Sequence, residues 1–337
     1  MEAKTKRLLI GCATIVIILL MIVYVDLTTI LNNLQQISIL GIVLFSLTYT
    51  VAFIFRTLKL KLVFNGINIE PSFFTIYGAI GTGWAINELT PAKLGDLAKM
   101  EYIRQKETNI PLSKSLCAVL IDRFIDLIIL FTITCITLIY IYFSGVSYTS
   151  ELNLPFFVIV GAILLLVIAI GLVLLFFKTE LILKILGMVS TKLRNLLERF
   201  IKRFIEGLND FRKDRKNIIL VLLYNIPTWL FESITLVIVF YLAGYHINIF
   251  IIILAQIITF FTKTIPITPG GWGVSEIIGA LLISIFYPLL PYNEILSLFI
   301  LDHILRVIYV FIYGGISTVA INFKFKDVDI LTSETTK

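Results

Sequence analysis

Apolar runs of about 20 residues recur along nearly the whole chain, and this recurrence constrains the fold more than any single motif. A run of that length crosses the roughly 30 Å hydrocarbon core of a bilayer as one helix. Within hydrocarbon every backbone N–H and C=O must be paired inside the protein, so bundled helices are the architecture such runs allow. Of the 337 residues, 58% are hydrophobic and the mean hydropathy is +0.99, which excludes an ordinary soluble domain. The expected fold class is therefore an all-α polytopic membrane protein.

Charge sets the topology. The run Leu8 to Val25 follows Lys4, Lys6 and Arg7 and lacks a small-x-small cleavage site, so it reads as a retained anchor rather than a signal peptide. The segments Asp26 to Gln36, Ser144 to Asn153 and Pro288 to Glu294 contain no Lys or Arg and read as outer loops. Arg56, Lys59 and Lys61 read as a cytoplasmic helix end, and the segments 93–114, 178–216 and 324–326 read as cytoplasmic. Residues 1–30 form the anchor, 37–143 a first repeat, 155–177 a connecting span, 178–217 a basic loop, 218–323 a second repeat and 324–337 a tail. Both termini face the cytoplasm of a multi-pass protein of the cell membrane. The net charge of +6 lies on that face, so anionic inner-leaflet lipids are its expected partner, and nucleic acid is not. In the basic loop Leu193, Leu197, Phe200, Phe204, Leu208 and Phe211 recur at helical spacing. That amphipathic helix either lies on the leaflet or packs against helix ends.

Cys12, Cys117 and Cys135 fall inside expected spans and behave as small apolar residues. With His246 and His303 as the only histidines, neither a metal centre nor a cofactor is expected.

Two breaks interrupt the helical pattern. The first includes Thr90, Pro91 and Gly95 followed by Asp96; the second includes Thr268, Pro269, Gly270, Gly271 and Gly273, with Glu276 three residues on. The matching Thr, Pro and Gly are each 178 positions apart. Residues 72–86 are too short and glycine-rich for a crossing, and the segment after them is charged, so the first break reads as the tip of a re-entrant hairpin from the cytoplasm. The second, between 249–265 and 274–287, reads as a hairpin from outside. About six full spans plus two re-entrant hairpins, which a hydropathy count could give as eight helices, form an inverted-topology repeat. Transporters use that arrangement to build a site near the bilayer midplane.

Proline withholds a backbone donor and glycine permits close approach, so the broken helix ends offer amides to an anion. Charges inside spans are costly and are usually paired or functional. The candidate substrate-binding residues are Arg56, Glu88, Lys93, Asp96, Arg123, Glu232, Lys263, Glu276 and Arg306. Asp122, Asp126 and Asp302 are further intramembrane charges. Plainer readings stand beside these: Asp122 and Arg123 as a structural ion pair, Lys93 as juxtamembrane charge, Glu276 as a helix cap or a partner of Lys263. His303 reads as a packed polar residue, and Trp84 and Trp272 as interfacial anchors of the hairpins. No nucleophile, metal-ligand or nucleotide-loop pattern supports catalysis.

With Asn87 to Lys99, Asp122-Arg123-Phe124-x-Asp126 and Thr268-Pro-Gly-Gly-x-Gly-x-x-Glu276 in place, the chain resembles the transmembrane region of lysylphosphatidylglycerol synthases, a flippase-like family. The resemblance runs from about Leu8 to Phe323 and implies lipid translocation. It implies a phospholipid or a polyprenyl-phosphate-linked lipid as substrate, and a separate lipid-modifying enzyme as a further partner. The chain ends at Lys337, too soon after the last span for the family's soluble aminoacyl-transferase domain, so synthase activity is not expected. A membrane-embedded transferase acting on a lipid-linked substrate, or a small-solute carrier, are the alternative readings.

Overall fold

The computed structural model describes residues 27–90, 94–107, 110, 112–145, 205–263 and 268–322. The expected anchor and the connecting span 155–177 lie outside the described residues, as does most of the basic loop. The described residues are helical throughout, with nine principal helices: α1 (Leu27–Gln36), α2 (Ile39–Gly66), α3 (Phe73–Leu89), α4 (Gly95–Lys106), α5 (Leu112–Phe143), α6 (Arg215–Leu242), α7 (Ile249–Thr262), α8 (Val274–Phe286) and α9 (Tyr292–Ala320). A further helical stretch covers 205–213. The helices start where a short polar side chain satisfies an orphan amide. The Ser38 hydroxyl accepts from the Gly41 N–H at 3.1 Å, Ser72 from Thr75 at 3.1 Å, Asp214 from Asn217 at 3.0 Å and Asn248 from Phe250 at 2.9 Å.

The axis of the molecule is the antiparallel pair α2 and α6. Gly41 abuts Leu242, Arg56 meets Glu232, and Gly66 abuts Phe211, so the two helices run past one another in opposite senses. Helix α3 begins just beyond the Gly66 end of this pair, and α7 just beyond the Leu242 end.

Two hairpins follow. Helices α3 and α4 pack antiparallel: the Ser72 N–H donates to Glu107 at 3.1 Å at the mouth, and the backbones touch near the tip. A Cβ on Gly83 would lie 2.7 Å from the Gly95 carbonyl oxygen, which only glycine tolerates. Helices α7 and α8 form the second hairpin, closed at its mouth by the Asn248 N–H donating to the Tyr287 hydroxyl at 2.9 Å. Its helices α7 and α8, of 14 and 13 residues, reach about 20 Å each. The hairpins enter from opposite ends of the α2–α6 axis, and their tips meet, as the inverted repeat requires. Among the described residues, five helices are long and apolar enough to cross a membrane: α2, α5, α6, α9 and the second hairpin's returning leg counted from Pro269 to Phe286.

Several boundaries differ from the sequence reading. The segment read as an outer loop, 26–36, holds helix α1. Ile30, Asn33 and Ile37 form its buried edge, with Asn33 donating to Ser297 at 2.6 Å and to Glu294 at 3.1 Å. Helix α2 continues eleven residues past Phe55, because Arg56 and Lys59 point into the bundle rather than marking its surface end. The segment after the first break is the returning leg of the hairpin, burying Lys99, Met100 and Ile103. In the basic loop, Leu208 and Phe211 are buried, Phe211 against Gly66; this part packs on helix ends, and Leu193 to Phe204 lie outside the described residues.

Candidate functional site: the meeting point of two hairpin tips

The charged residues read as intramembrane candidates converge on the level where the tips meet. At the centre, Arg56 of α2 pairs with Glu232 of α6, each a charge on the span that precedes its hairpin. The guanidinium lies 4.4 Å from the Trp84 ring and 5.0 Å from the Trp229 ring, a cation–π sandwich that replaces part of its lost hydration. Arg306 of α9 extends this cluster. Its Nε donates to Asp302 at 2.6 Å and its Nη2 donates to the Glu232 carbonyl at 2.7 Å and to Thr235.

A second cluster lies beside it. Lys59, with no exposed surface, donates from Nζ to Asp126 at 2.5 Å and stands 2.8 Å from Asp122. Trp229 Nε1 also donates to Asp126 at 3.0 Å. Asp122 and Arg123 are thus neighbours in sequence that serve different partners. Arg123 forks onto Asp96, with Nε to Oδ2 at 3.0 Å and Nη2 to Oδ1 at 2.7 Å, and Lys99 adds a third donor at 3.2 Å. A bidentate guanidinium–carboxylate pair fixes geometry as well as charge.

The third cluster joins the two tips. Glu276 caps α8 by accepting from the Gly273 N–H at 2.6 Å, and it accepts from the Ser275 hydroxyl at 2.7 Å. His303 of α9 faces Glu276 through Nδ1 and faces Glu88, on the tip of the other hairpin, through Nε2 at 3.3 Å. Its ring stacks on Trp272, with centroids 4.0 Å apart and planes at 11°. The break itself needs glycine: Gly270, Gly271 and Gly273 have φ of 61°, 80° and 86°, where a Cβ is strained. Pro269 opens the single 3-10 turn, Pro269–Gly271. At the other break the Gly95 N–H donates to the Asn87 side chain at 2.8 Å. Side chains therefore already occupy one amide at each broken helix start, and an anion entering here meets charged side chains before backbone.

Between the tips is a cavity of about 260 Å³. Glu88, Asp96, Arg123, Lys263, Gly270 and Gly271 line it, with Asp126 and the edges of Trp84 and Trp229. Drug-sized sites run roughly 300–1,000 Å³, so this one fits a headgroup and not a whole lipid. Lys263 packs its stem on Gly271 and makes no ion pair among the described residues, leaving its charge for the cavity. Arg56, Glu232, Glu276 and Arg306 stand behind the wall in the buried network. Lys93 and Pro91 lie outside the described residues.

Three assignments from sequence change or are extended. His303 is a buried polar residue, as read, and is also the link between the hairpins; its signal was its position, the same 27 residues after the break acid as Arg123. Lys59 belongs to the interior; its signal was the three-residue spacing from Arg56, which puts both on one helix face. Trp84 and Trp272 stack on Arg56 and His303 inside the protein, not at an interface.

A family model described as the lysylphosphatidylglycerol synthase TM region matches residues 8–314. The chain is similar to the UPF0104 membrane protein MJ1078 of Methanocaldococcus jannaschii, 24% identical over 68% of this chain and 92% of that protein. It is also similar to the UPF0104 membrane protein MJ1595 of the same organism, 20% identical over 94% and 95% of the two chains. No solved structure matches.

Proposed function

The chain belongs to the lysylphosphatidylglycerol synthase transmembrane-region family, and from that premise we propose that it moves an anionic or phosphate-linked lipid headgroup between leaflets, through the cavity between its hairpin tips. The observation that carries this reading is Lys263. A cation with no ion pair among the described residues, in a headgroup-sized cavity at the junction of two oppositely entering hairpins, is a counter-charge for an anionic ligand. In this reading Lys263 takes the phosphate and Arg123 orients it while keeping its fork on Asp96. The acyl chains stay in the surrounding hydrocarbon, which is why the cavity needs only headgroup volume. The substrate is a phospholipid or a polyprenyl-phosphate-linked lipid, in a cell membrane with both termini cytoplasmic. Anionic inner-leaflet lipids hold the basic loop, and a separate lipid-modifying enzyme supplies or uses the substrate.

A transferase finds less support. Glu88 faces His303, Asp96 is forked by Arg123 and Glu276 caps Gly273, so each acid that would serve as a base is already engaged. A small-solute carrier has no feature that names its solute.

Vesicles containing the purified protein and labelled phospholipids of several headgroups test the proposal. Accelerated leaflet exchange of anionic lipids, slowed by Lys263→Ala, is expected; no acceleration with any headgroup overturns it.

A further inference from the structure

The two hairpin tips are joined through His303, and the way they are joined requires a proton. Both ring nitrogens face carboxylate oxygens, Nδ1 towards Glu276 and Nε2 towards Glu88. A neutral imidazole has one N–H and one bare lone pair, so one of these contacts would set a lone pair against a carboxylate. Glu276 already accepts from Gly273 N on one carboxylate oxygen and from Ser275 Oγ on the other. The proton therefore belongs on the ring, with Nδ1–H donating to Glu276 and Nε2–H donating to Glu88.

We propose that the Glu88–His303–Glu276 triad is a proton-binding site that couples proton movement to the lipid transport proposed above, with the protonated ring clamping the two hairpin tips together. When Nε2 releases its proton, its lone pair faces Glu88 and the attraction across the tips becomes repulsion. Glu88 lines the cavity, so the departing proton passes by its carboxylate into the space the headgroup uses. One proton is bound and one released per cycle, and nothing else changes oxidation state or bonding.

The surroundings leave the triad as the titrating unit. Helix α9 packs on α1, α3, α6 and α8, and its Tyr309 and Tyr313 rings pack on Tyr49 and Phe53 of α2, whose Arg56 is committed to Glu232. The group facing the ring from α3 is Glu88 and from α8 is Glu276. Helix α1 carries no charge, and Glu232 of α6 is committed to Arg56 and Arg306. Lys263, at the end of α7, acts on the triad across the break. On its own helix, Asp302 and Arg306 pair with each other. The first repeat supplies the contrast: the residue equivalent to His303 is Arg123, whose charge is permanent. One hairpin is held by a fixed cation and the other by one that can be switched off.

Two measurements test this. The protein has two histidines, so 15N-histidine NMR of a His246→Asn background reads His303 alone. Both ring nitrogens should carry protons near neutral pH, and Glu88→Gln, which leaves the Glu276 cap in place, should lose that state. A ring that is singly protonated in the parent, or unchanged by Glu88→Gln, overturns the site. In vesicles, one proton per lipid makes a gradient of about one pH unit drive a roughly tenfold asymmetry of lipid distribution. His303→Arg and Glu88→Gln should abolish the asymmetry. Lipid exchange that equilibrates in the parent regardless of the gradient overturns the coupling and leaves the transport reading intact. Absence of all exchange overturns the transport reading, and the NMR result then decides the site.

Discussion

Each repeat closes its broken helix in the same way: an acid in the first turn after the break, and a cation 27 residues later on the following span. In the first repeat these are Asp96 and Arg123, in the second Glu276 and His303. The first pair is bidentate and about a quarter exposed on the arginine, bordering the cavity. The second is buried, monodentate on each nitrogen, and shared with Glu88 of the opposite hairpin. The same ancestral-looking geometry thus serves two ends: a permanent clasp within one half, and a titratable bridge between halves. Between them, Arg56 and Glu232 tie the halves together, because the span before each hairpin contributes one partner to a single buried ion pair.

The hardest way to break the comparison is at the buried pairs that hold the halves in register. Lys59→Met leaves Asp122 buried without its cation and Asp126 with only the more distant Arg123, 3.8 Å away, and should cost about 3–5 kcal/mol, read as a large loss of thermal stability in detergent. Glu232→Ala, which strands Arg56 while Arg306 keeps Asp302, should be of the same order, and the exchange Arg56→Glu with Glu232→Arg should recover part of the loss. An effect below about 1 kcal/mol for Lys59→Met would mean that water reaches this cluster.

A smaller effect separates scaffold from site. Lys263→Ala should slow anionic lipid exchange about tenfold while thermal stability stays within about 0.5 kcal/mol, because no ion partner among the described residues is stranded. Equal losses in both measurements would place Lys263 in the scaffold. Tight packing at the first hairpin gives the next contrast. Gly81→Ala drives a methyl to 2.8 Å from the Tyr313 ring and should cost about 1–3 kcal/mol, whereas at Gly315 a Cβ meets nothing within 4 Å and alanine should be neutral or slightly stabilising. Least disruptive is Arg123→His, which makes the first clasp resemble the second. Since Arg123 is partly solvated, a cost of about 1 kcal/mol is expected, with new sensitivity of lipid exchange to pH as the more informative readout.

Much of this was readable from the chain. Twin Thr-Pro-x-x-x-Gly breaks and the alternation of basic and uncharged loops gave two hairpins of opposite entry, and the packing of α3 with α4 and α7 with α8 bears that out. The acids at the breaks and the arginines inside the spans were recognisable by the cost of placing charge in hydrocarbon. Lys59 and His303 were not recognised. A lysine near a helix end and a lone histidine in an apolar helix have common unremarkable explanations, and only their partners, 63 to 67 residues away for Lys59 and 215 for His303 and Glu88, separate those from a functional network. Helix α1 was missed for a related reason: an uncharged polar segment reads as a loop until Ser297 and Glu294 supply acceptors for Asn33.

The sequence by itself determined that this is a helical membrane protein, where its helices break, and that its two halves are related. Those properties follow from local rules, since backbone in hydrocarbon must pair with itself and proline and glycine interrupt that pairing wherever they stand. Which charge neutralises which was decided by the tertiary structure. Coulombic partners are chosen by distance in space, and the crossing of α2 with α6 and the meeting of the two tips are what bring Glu232 to Arg56 and set His303 between two carboxylates.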